Sequence, residues 1–390
     1  MLMTLSLLLL LLLSLALLEY AILKRQLHRI RIRIHVNGTR GKSTVTRLIA
    51  AGLRAGGHRA IAKTTGTEPR LILEDGSEVA LRRRGRATIR EQMRTVSLAV
   101  RRQAAALVVE CMAIHPELQW VSEHRMIHAT IGVITNVRQD HMEVFGSDRL
   151  AMARALSRTI PAGGVLVTAE RSHFDLLREV AAGRGTRAVL VEDGARGALS
   201  SGADHRWLQE DEAIALAVCR EAGIPWETAW AGMRGLRHDP GALQVCRRTL
   251  DGKTLTFANA FSVNDPDSLA LVWDELVGTH VLRGPVVVVL NCREDRPLRS
   301  VSFARVLARD LKPERVLLVG RTWRLARREV LRWGYDPSRV EGLPRASGES
   351  VLRILVDRVP GDATVLGLGN YSGLGREIAA QFVGMEAHVC

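Results

Sequence analysis

Residues 35–44 read HVNGTRGKST, a glycine-rich turn with one lysine followed by a hydroxyl residue. Set between a strand and a helix, such a turn offers backbone N–H groups and the positive end of the helix dipole to an anion. Gly38 and Gly41 let the backbone curl close to phosphate oxygens. Lys42 would sit at the β- and γ-phosphates of a nucleotide, and the Ser43 hydroxyl would ligate Mg2+. The spacing is shorter than the usual G-x-x-x-x-G-K-[ST], because the first glycine of that pattern falls at Val36. IRIHV before the turn reads as a strand, and TVTRLIAAGLRAGG after it reads as a helix stopped by Gly56 and Gly57.

Two other stretches place polar residues at strand ends. In VITNVRQDHMEVFG (133–146) a strand closes at Thr135, followed by Asn136, Asp140 and His141. The carboxyl end of a parallel strand is where ligands bind. His141 there either ligates a metal or positions a substrate, or it serves with Asp140 as an ordinary turn and helix cap. In VVECMAIHPE (108–117) Glu110 closes a strand. It is placed either as a Mg2+ ligand facing the phosphate loop or as the cap of the next helix.

The elements that must position these groups alternate short apolar strands with amphipathic helices, the pattern of a mostly parallel sheet covered on both faces. ALVVE and ATIGVIT are buried strands, and TIREQMRTVSLAVRRQ is helical with a capping box from Thr88 and Glu91. SDRLAMARALSRTI, DLLREVAAG and DEAIALAVCREAG are helices, with GVLVT and RAVLVE as strands between them. The pattern breaks at GLRHDPGAL (235–243) and restarts at PVVVVLN, FARVLARDL, RVLLVG and ATVLGLG. This gives an α/β chain of three parts: an N-terminal transmembrane helix over 1–23, a central domain over 24–240 and a smaller α/β C-terminal domain over 241–390. GLGNYSGLG reads as a tight strand-to-helix turn and not as a dinucleotide loop, since too few residues follow it to complete a βαβ unit.

The N-terminal MLMTLSLLLLLLLSLALL carries no charge over 18 residues, while Lys24, Arg25, Arg29, Arg31 and Arg33 follow it. A span needs about 20 apolar residues, and basic residues mark the cytoplasmic flank. The expectation is a single-pass anchor in the plasma membrane with the body in the cytoplasm, with a cleaved leader or a mis-called start codon as the alternative. Five scattered cysteines with no C-x-x-C pair fit a reducing compartment and exclude a disulfide scaffold or a cysteine zinc site. The net charge of +14 rests almost wholly on arginine, since only five lysines occur. It attracts anions in general and is discounted as a nucleic-acid signal.

Taken together, the three stretches resemble the Mur ligase superfamily of ATP-dependent amide ligases, which includes folylpolyglutamate synthase. GTRGKST is similar to that superfamily's GTNGKT, and TNVRQDHMEVFG to its TNxxxDHxDxxG. Within it the chain resembles the poly-γ-glutamate synthase subunits known as PgsB or CapB, which begin with a hydrophobic segment and continue with NGTRGKS, AKTTGT, VVECMA and ITNVRxDHxD. Here these stand as NGTRGKS, AKTTGT (62–67), VVECMA and ITNVRQDHME. The resemblance is dense over 1–150 and sparser at ANAFSVNDPDS (258–268), NCREDRPLRS (291–300) and LGLGNYSGLG (366–375).

The resemblance implies a Mur-ligase-like central domain and an ATP site formed by Asn37, Gly38, Thr39, Arg40, Gly41, Lys42, Ser43 and Thr44. It adds Arg237 at the γ-phosphate and Asn264 near the nucleotide, although Asp265 stands between Asn264 and Pro266. Ser43, Glu110 and His141 would line one or two Mg2+ ions, and Lys42, Glu110 and His141 would be the catalytic groups. Two features depart from the superfamily. Asn259 stands where several members place an acid on the ribose. No lysine occurs between Lys63 and Lys253 to act as a carbamylated metal ligand, which leaves Asp140 and Glu143 as nearby acids. The implied activity is ADP-forming extension of poly-γ-glutamate, with glutamate and the anionic polymer as ligands, and with membrane export subunits as partners. Arg82, Arg83, Arg84 and Arg86 either guide that polymer or belong to a solvated loop. The alternatives are a folate or wall-precursor ligase, and a P-loop ATPase acting on nucleic acid or a membrane machine.

Overall fold

The structure is a computed structural model, and it describes residues 2–66, 69–81, 83, 87–138, 148–191, 206–234, 236 and 243–382. The chain divides into two compact units. One is Met1–Val137 with Glu143–Ser200 and Trp207–Arg237, and the other is His238–Cys390 with Arg138–Met142 and Ser201–Arg206.

The first unit opens with α1 (Leu2–His28), β1 (Ile32–Asn37), α2 (Lys42–Ala55), β2 (Ala60–Thr64), β3 (Arg70–Ile72), β4 (Glu78–Ala80), α3 (Glu91–Arg101) and β5 (Ala106–Glu110). Next come α4 (Pro116–Val121), which runs on as a π-helical turn Ser122–Ile127, then β6 (Ile131–Ile134), α5 (Arg149–Leu156), β7 (Val165–Thr168), α6 (Phe174–Ala182) and β8 (Arg187–Leu190). The helices α7 (Arg206–Glu221) and α8 (Trp226–Met233) follow. The eight strands lie in the order β4-β3-β2-β5-β1-β6-β7-β8. All neighbours from β2 to β8 are parallel, and β3 and β4 form an antiparallel edge.

Two-residue alternation sorts the strand side chains. Ile34, Val36, Ala62 and Val108 join the core formed with α2, α7 and α8. Ile61, Leu107 and Val109 pack with Leu23 and Leu27 of α1, Val96 and Ala99 of α3, and Met126 and Ile127 of the π-turn. The span Met3–His28 is long and apolar enough to cross a membrane, by length and composition, and an 18-residue window within it has a mean hydropathy of 2.4. Its last turns are nonetheless part of this protein core. The first turn of α3 departs from the expected capping box: no side chain caps the helix, and Glu91 N donates to the Thr88 backbone carbonyl. The Glu91 carboxylate is instead taken by Arg83 and Lys63, cations stronger than the backbone N–H the box would have offered.

The second unit holds β9 (Gln244–Leu250), β10 (Lys253–Asn259), α9 (Pro266–Gly278), β11 (Val286–Asn291), α10 (Pro297–Val306), β12 (Arg315–Val319) and α11 (Trp323–Arg332). It continues with β13 (Val340–Leu343), α12 (Gly348–Arg358), β14 (Ala363–Leu368) and α13 (Leu374–Ala380). Its sheet runs β13-β12-β11-β14-β10-β9, parallel except for the β9–β10 hairpin. That hairpin turns on Asp251 and Gly252, both at positive φ (50° and 73°), as a two-residue turn matching strand twist requires. Asp265 caps α9 by accepting from Ser268 N. Apolar layers cover both sheet faces.

Candidate active site at the phosphate loop

β1 lies between β5 and β6, with Val36 level with Glu110 and Asn37 level with Ile134. The parallel register therefore brings the carboxyl ends of three strands to one edge. The turn after β1, the acid closing β5 and Thr135–Asn136 after β6 meet there, although they are far apart in the chain.

Each loop residue has a defined place. Gly38 has φ 128°, and a Cβ on it would overlap the Thr135 hydroxyl. Gly41 starts α2 in the left-handed region at φ 77°, and a Cβ there would run into the Asp211 carboxylate. Lys42 Nζ donates back to the Gly38 and Thr39 carbonyls at 2.7 and 3.2 Å. Among the described residues no carboxylate pairs with this ammonium, so its charge is held over the loop for an outside anion. Ser43 Oγ donates to Glu110 Oε2 at 2.8 Å, and Thr65 N donates to the same oxygen at 2.6 Å. Thr44 is partly exposed on the first turn of α2. Thr39 and Arg40 are bound to Asn136. The Asn37 side chain leaves the loop and donates to Gln119 Oε1 and Thr159 Oγ1 on the other sheet face. It holds the strand end through its framework contacts.

The structure thus gathers Lys42, Ser43 and Glu110. Asn264 belongs to the second unit, half-buried just before the α9 cap, and Asn259 ends β10 at 4% exposure. His141, Asp140, Glu143 and Arg237 lie outside the described residues, as do Arg82, Arg84 and Arg86. Arg83 is described, and it grips Glu91 through two bonds of 2.8 and 3.1 Å.

Several supporting residues had no role from the sequence. Thr65 and Gly66, in AKTTGT, close over Ser43: a Cβ on Gly66 would come within 2.5 Å of the Ser43 hydroxyl. Lys63, from the same stretch, is fully buried, with Nζ 3.2 Å from Glu91 Oε2 and 3.3 Å from Gln92 Oε1. Burial pushes its pKa down, against the opposing pull of Glu91. Gln92 Nε2 in turn donates to the Glu110 carbonyl at 3.2 Å, so α3 braces the acid from behind. The only sequence signal for this group was the resemblance of the AKTTGT stretch itself.

The donor set fits a hard divalent cation. Such ions take oxygen ligands, and at triphosphates Mg2+ commonly uses one or two carboxylates together with phosphate and water oxygens. A serine hydroxyl beside a nearly buried carboxylate meets that need. Among the described residues no group of three or more His, Cys, Asp or Glu forms a protein-only cage.

Comparison with known proteins decides the family. The Mur ligase middle domain model matches residues 36–207. The model of the poly-gamma-glutamate synthase CapB C-terminal domain matches residues 246–385. The chain belongs to the CapB family. It is similar to the capsule biosynthesis protein CapB of Bacillus anthracis, 38% identical over 303 residues, a match covering 77% of this chain and 65% of that protein. It is also similar to the PGA synthase CapB of Bacillus subtilis (strain 168), 29% identical over 92% of this chain and 93% of that protein. The fold is that of folylpolyglutamate synthase from Mycobacterium tuberculosis complexed with ADP, with a TM-score of 0.71 at 15% identity over 95% of this chain and 94% of that one. The expected Mur-ligase-like α/β fold and the resemblance to CapB are both met.

Proposed function

We propose that this CapB-family chain is a membrane-anchored ligase that extends poly-γ-glutamate using ATP, releasing ADP and phosphate. The observation that carries the reading is the Lys42 ammonium, paired with no carboxylate among the described residues, beside the Ser43–Glu110 pair at one sheet edge. A carboxylate is a poor acyl donor, because its leaving group would be oxide. Transfer of the γ-phosphoryl group to the γ-carboxylate of glutamate gives an acyl phosphate and ADP. A glutamate amine then attacks the carbonyl, loses a proton, and phosphate leaves as the amide forms. No side-chain nucleophile is needed.

The protein's task is to let anions meet. Lys42 and the N-terminus of α2 neutralise triphosphate charge that would repel the incoming carboxylate. Glu110 and Ser43 would hold the divalent cation, Mg2+ in this reading, with His141 as a further ligand. When bound, that ion would screen the phosphates and stabilise charge on the transferring group. The loop residues 37–44 bind ATP, Arg237 contacts the γ-phosphate and Asn264 lies near the nucleotide. The domains are then an anchor over 1–23, an ATP-binding central domain over 24–240 and a C-terminal α/β domain over 241–390. The basic residues from Lys24 to Arg33 set the body on the cytoplasmic face of the plasma membrane, next to membrane subunits that export the polymer.

The test is incubation of membranes carrying the chain and its partners with labelled glutamate and ATP. Wild type should form polymer together with ADP and phosphate, and Lys42→Ala should form none. Release of AMP and pyrophosphate, or equal polymer from both, would overturn the reading.

A further inference from the structure

We propose that Glu210, on α7, is a positioning residue for the phosphate loop and acts through the side-chain amide of Asn136. This rests on the nucleotide reading of that loop. A glycine-rich turn has backbone groups that neither the strand nor the helix satisfies, and something else must fix them. Here two residues after β6 do so. Thr39 N donates to the Asn136 carbonyl at 3.1 Å, Thr39 Oγ1 to Asn136 Oδ1 at 2.7 Å, and Arg40 N to the same Oδ1 at 3.1 Å. Thr135 Oγ1 donates to the Arg40 carbonyl at 2.5 Å, and Thr135 N to the Asn37 carbonyl at 2.9 Å.

An asparagine can do this in one orientation only. The Arg40 N–H is purely a donor, so Oδ1 must face it and Nδ2 must face the other way. On that other side Glu210 Oε1 accepts from Nδ2 at 3.2 Å, with the Arg40 carbonyl farther off at 3.5 Å. Glu210 thereby selects the amide orientation that clasps the loop. Its neighbour Asp211 is 4% exposed and walls Gly41, so the start of α7 backs the loop at two successive residues. Glu210 belongs to none of the three chemistry-bearing stretches and lies 74 residues beyond Asn136. Nothing in its local sequence marks it.

A residue that only shapes the ATP site weakens ground-state and transition-state binding alike, which raises KM and leaves kcat in place. The experiment uses the full chain in detergent, titrated calorimetrically with Mg2+-ATP and assayed for glutamate-dependent ADP release. Glu210→Ala should weaken Kd and KM for ATP about tenfold, as expected for loss of a hydrogen bond to a charged group, with kcat near wild type. Glu210→Gln keeps an acceptor and should restore both constants. Asn136→Asp sets two carboxylates face to face and should bind ATP poorly, and adding Glu210→Gln should recover part of the loss. Wild-type Kd and KM in Glu210→Ala, or a lowered melting temperature alone, would overturn the proposal. A wild-type chain that binds no ATP would overturn the nucleotide reading and this inference with it.

Discussion

The Ser43 hydroxyl donates to the Glu110 carboxylate across 2.8 Å, joining the first turn of α2 to the end of β5. The two residues are 67 positions apart in the chain, and adjacency of β1 and β5 makes them neighbours. If they share a cation, they act as a unit. Ser43→Ala and Glu110→Gln should each lower glutamate-dependent ADP release about 100-fold or more. The double variant should be little worse than either single one, because groups that act together are not additive. The Mg2+ concentration for half-maximal rate should rise in both. Additive losses at unchanged Mg2+ demand would mean that the pair is only a hydrogen bond between framework residues.

Gly41→Ala tests the loop backbone. A side chain at φ 77° costs about 1–2 kcal/mol in the left-handed region. It would also meet the carboxylate of Asp211, a short side chain that is 4% exposed. Gly57, at φ 83°, has open space around its Cβ position. Gly57→Ala should therefore show the strain alone in denaturant unfolding. Gly41→Ala should lose more stability and also ATP affinity, and equal effects at the two sites would remove the Asp211 contact from the account.

The N-terminal helix is divided in role. Leu5 to Leu18 are largely exposed, whereas Leu23 and Leu27 are each 5% exposed in the core with α3, and Ser97 Oγ donates to Gln26 Oε1 at 3.0 Å. A chain lacking residues 2–18 should keep the unfolding midpoint of the full chain in the same detergent and fail to sediment with membranes. Leu27→Ala, in contrast, should cost about 3 kcal/mol. An equal loss of midpoint from the short truncation would show that the apolar segment also stabilises the body.

A buried imidazole gives a pH signature. Burial by itself lowers the pKa of His35, but the Cys111 sulfur and the Glu123 carboxylate at 2.8 Å outweigh it and bring the value to about 10. The folded pKa thus lies above the ordinary 6.5. Stability from the protonated ring is complete below about pH 6.5, where folded and unfolded states both carry the proton. It declines as pH rises from there and is gone once pH passes through about 10. Denaturant unfolding between pH 6.5 and 10 should show this fall, at most about 1.4 kcal/mol per pH unit for one proton. Glu123→Gln should flatten it and destabilise by about 3 kcal/mol near pH 6.5, because the buried ring loses the carboxylate that favours its protonated form. An unchanged slope would place the titration elsewhere.

The parts legible in the sequence were those written locally. Strand IRIHV, the glycine turn and helix α2 could be read in order because the turn chemistry and the periodicities of 2 and 3.6 sit within one window. The Asp251–Gly252 hairpin is equally local, and it lies just past the break in pattern at 235–243. The capping box at Thr88 and Glu91 shows the opposite limit. Its spacing was right, yet Arg83 and the distant Lys63 compete for the same carboxylate, and side-chain competition across a fold does not appear in a spacing rule.

Sequence alone determined that this chain carries a glycine-rich turn between a strand and a helix, an apolar N-terminal helix, and motifs of the CapB family. These follow from residue type at short range, where backbone geometry depends on neighbours in the chain. The tertiary structure decided which acid faces Ser43, which lysine is buried behind it, and which residues clasp the loop. Glu110, Lys63, Asn136 and Glu210 reach the loop only because parallel pairing aligns strand ends and α7 packs on α2. Strand order and helix packing come from burying apolar faces across the whole unit, and no single stretch contains that information.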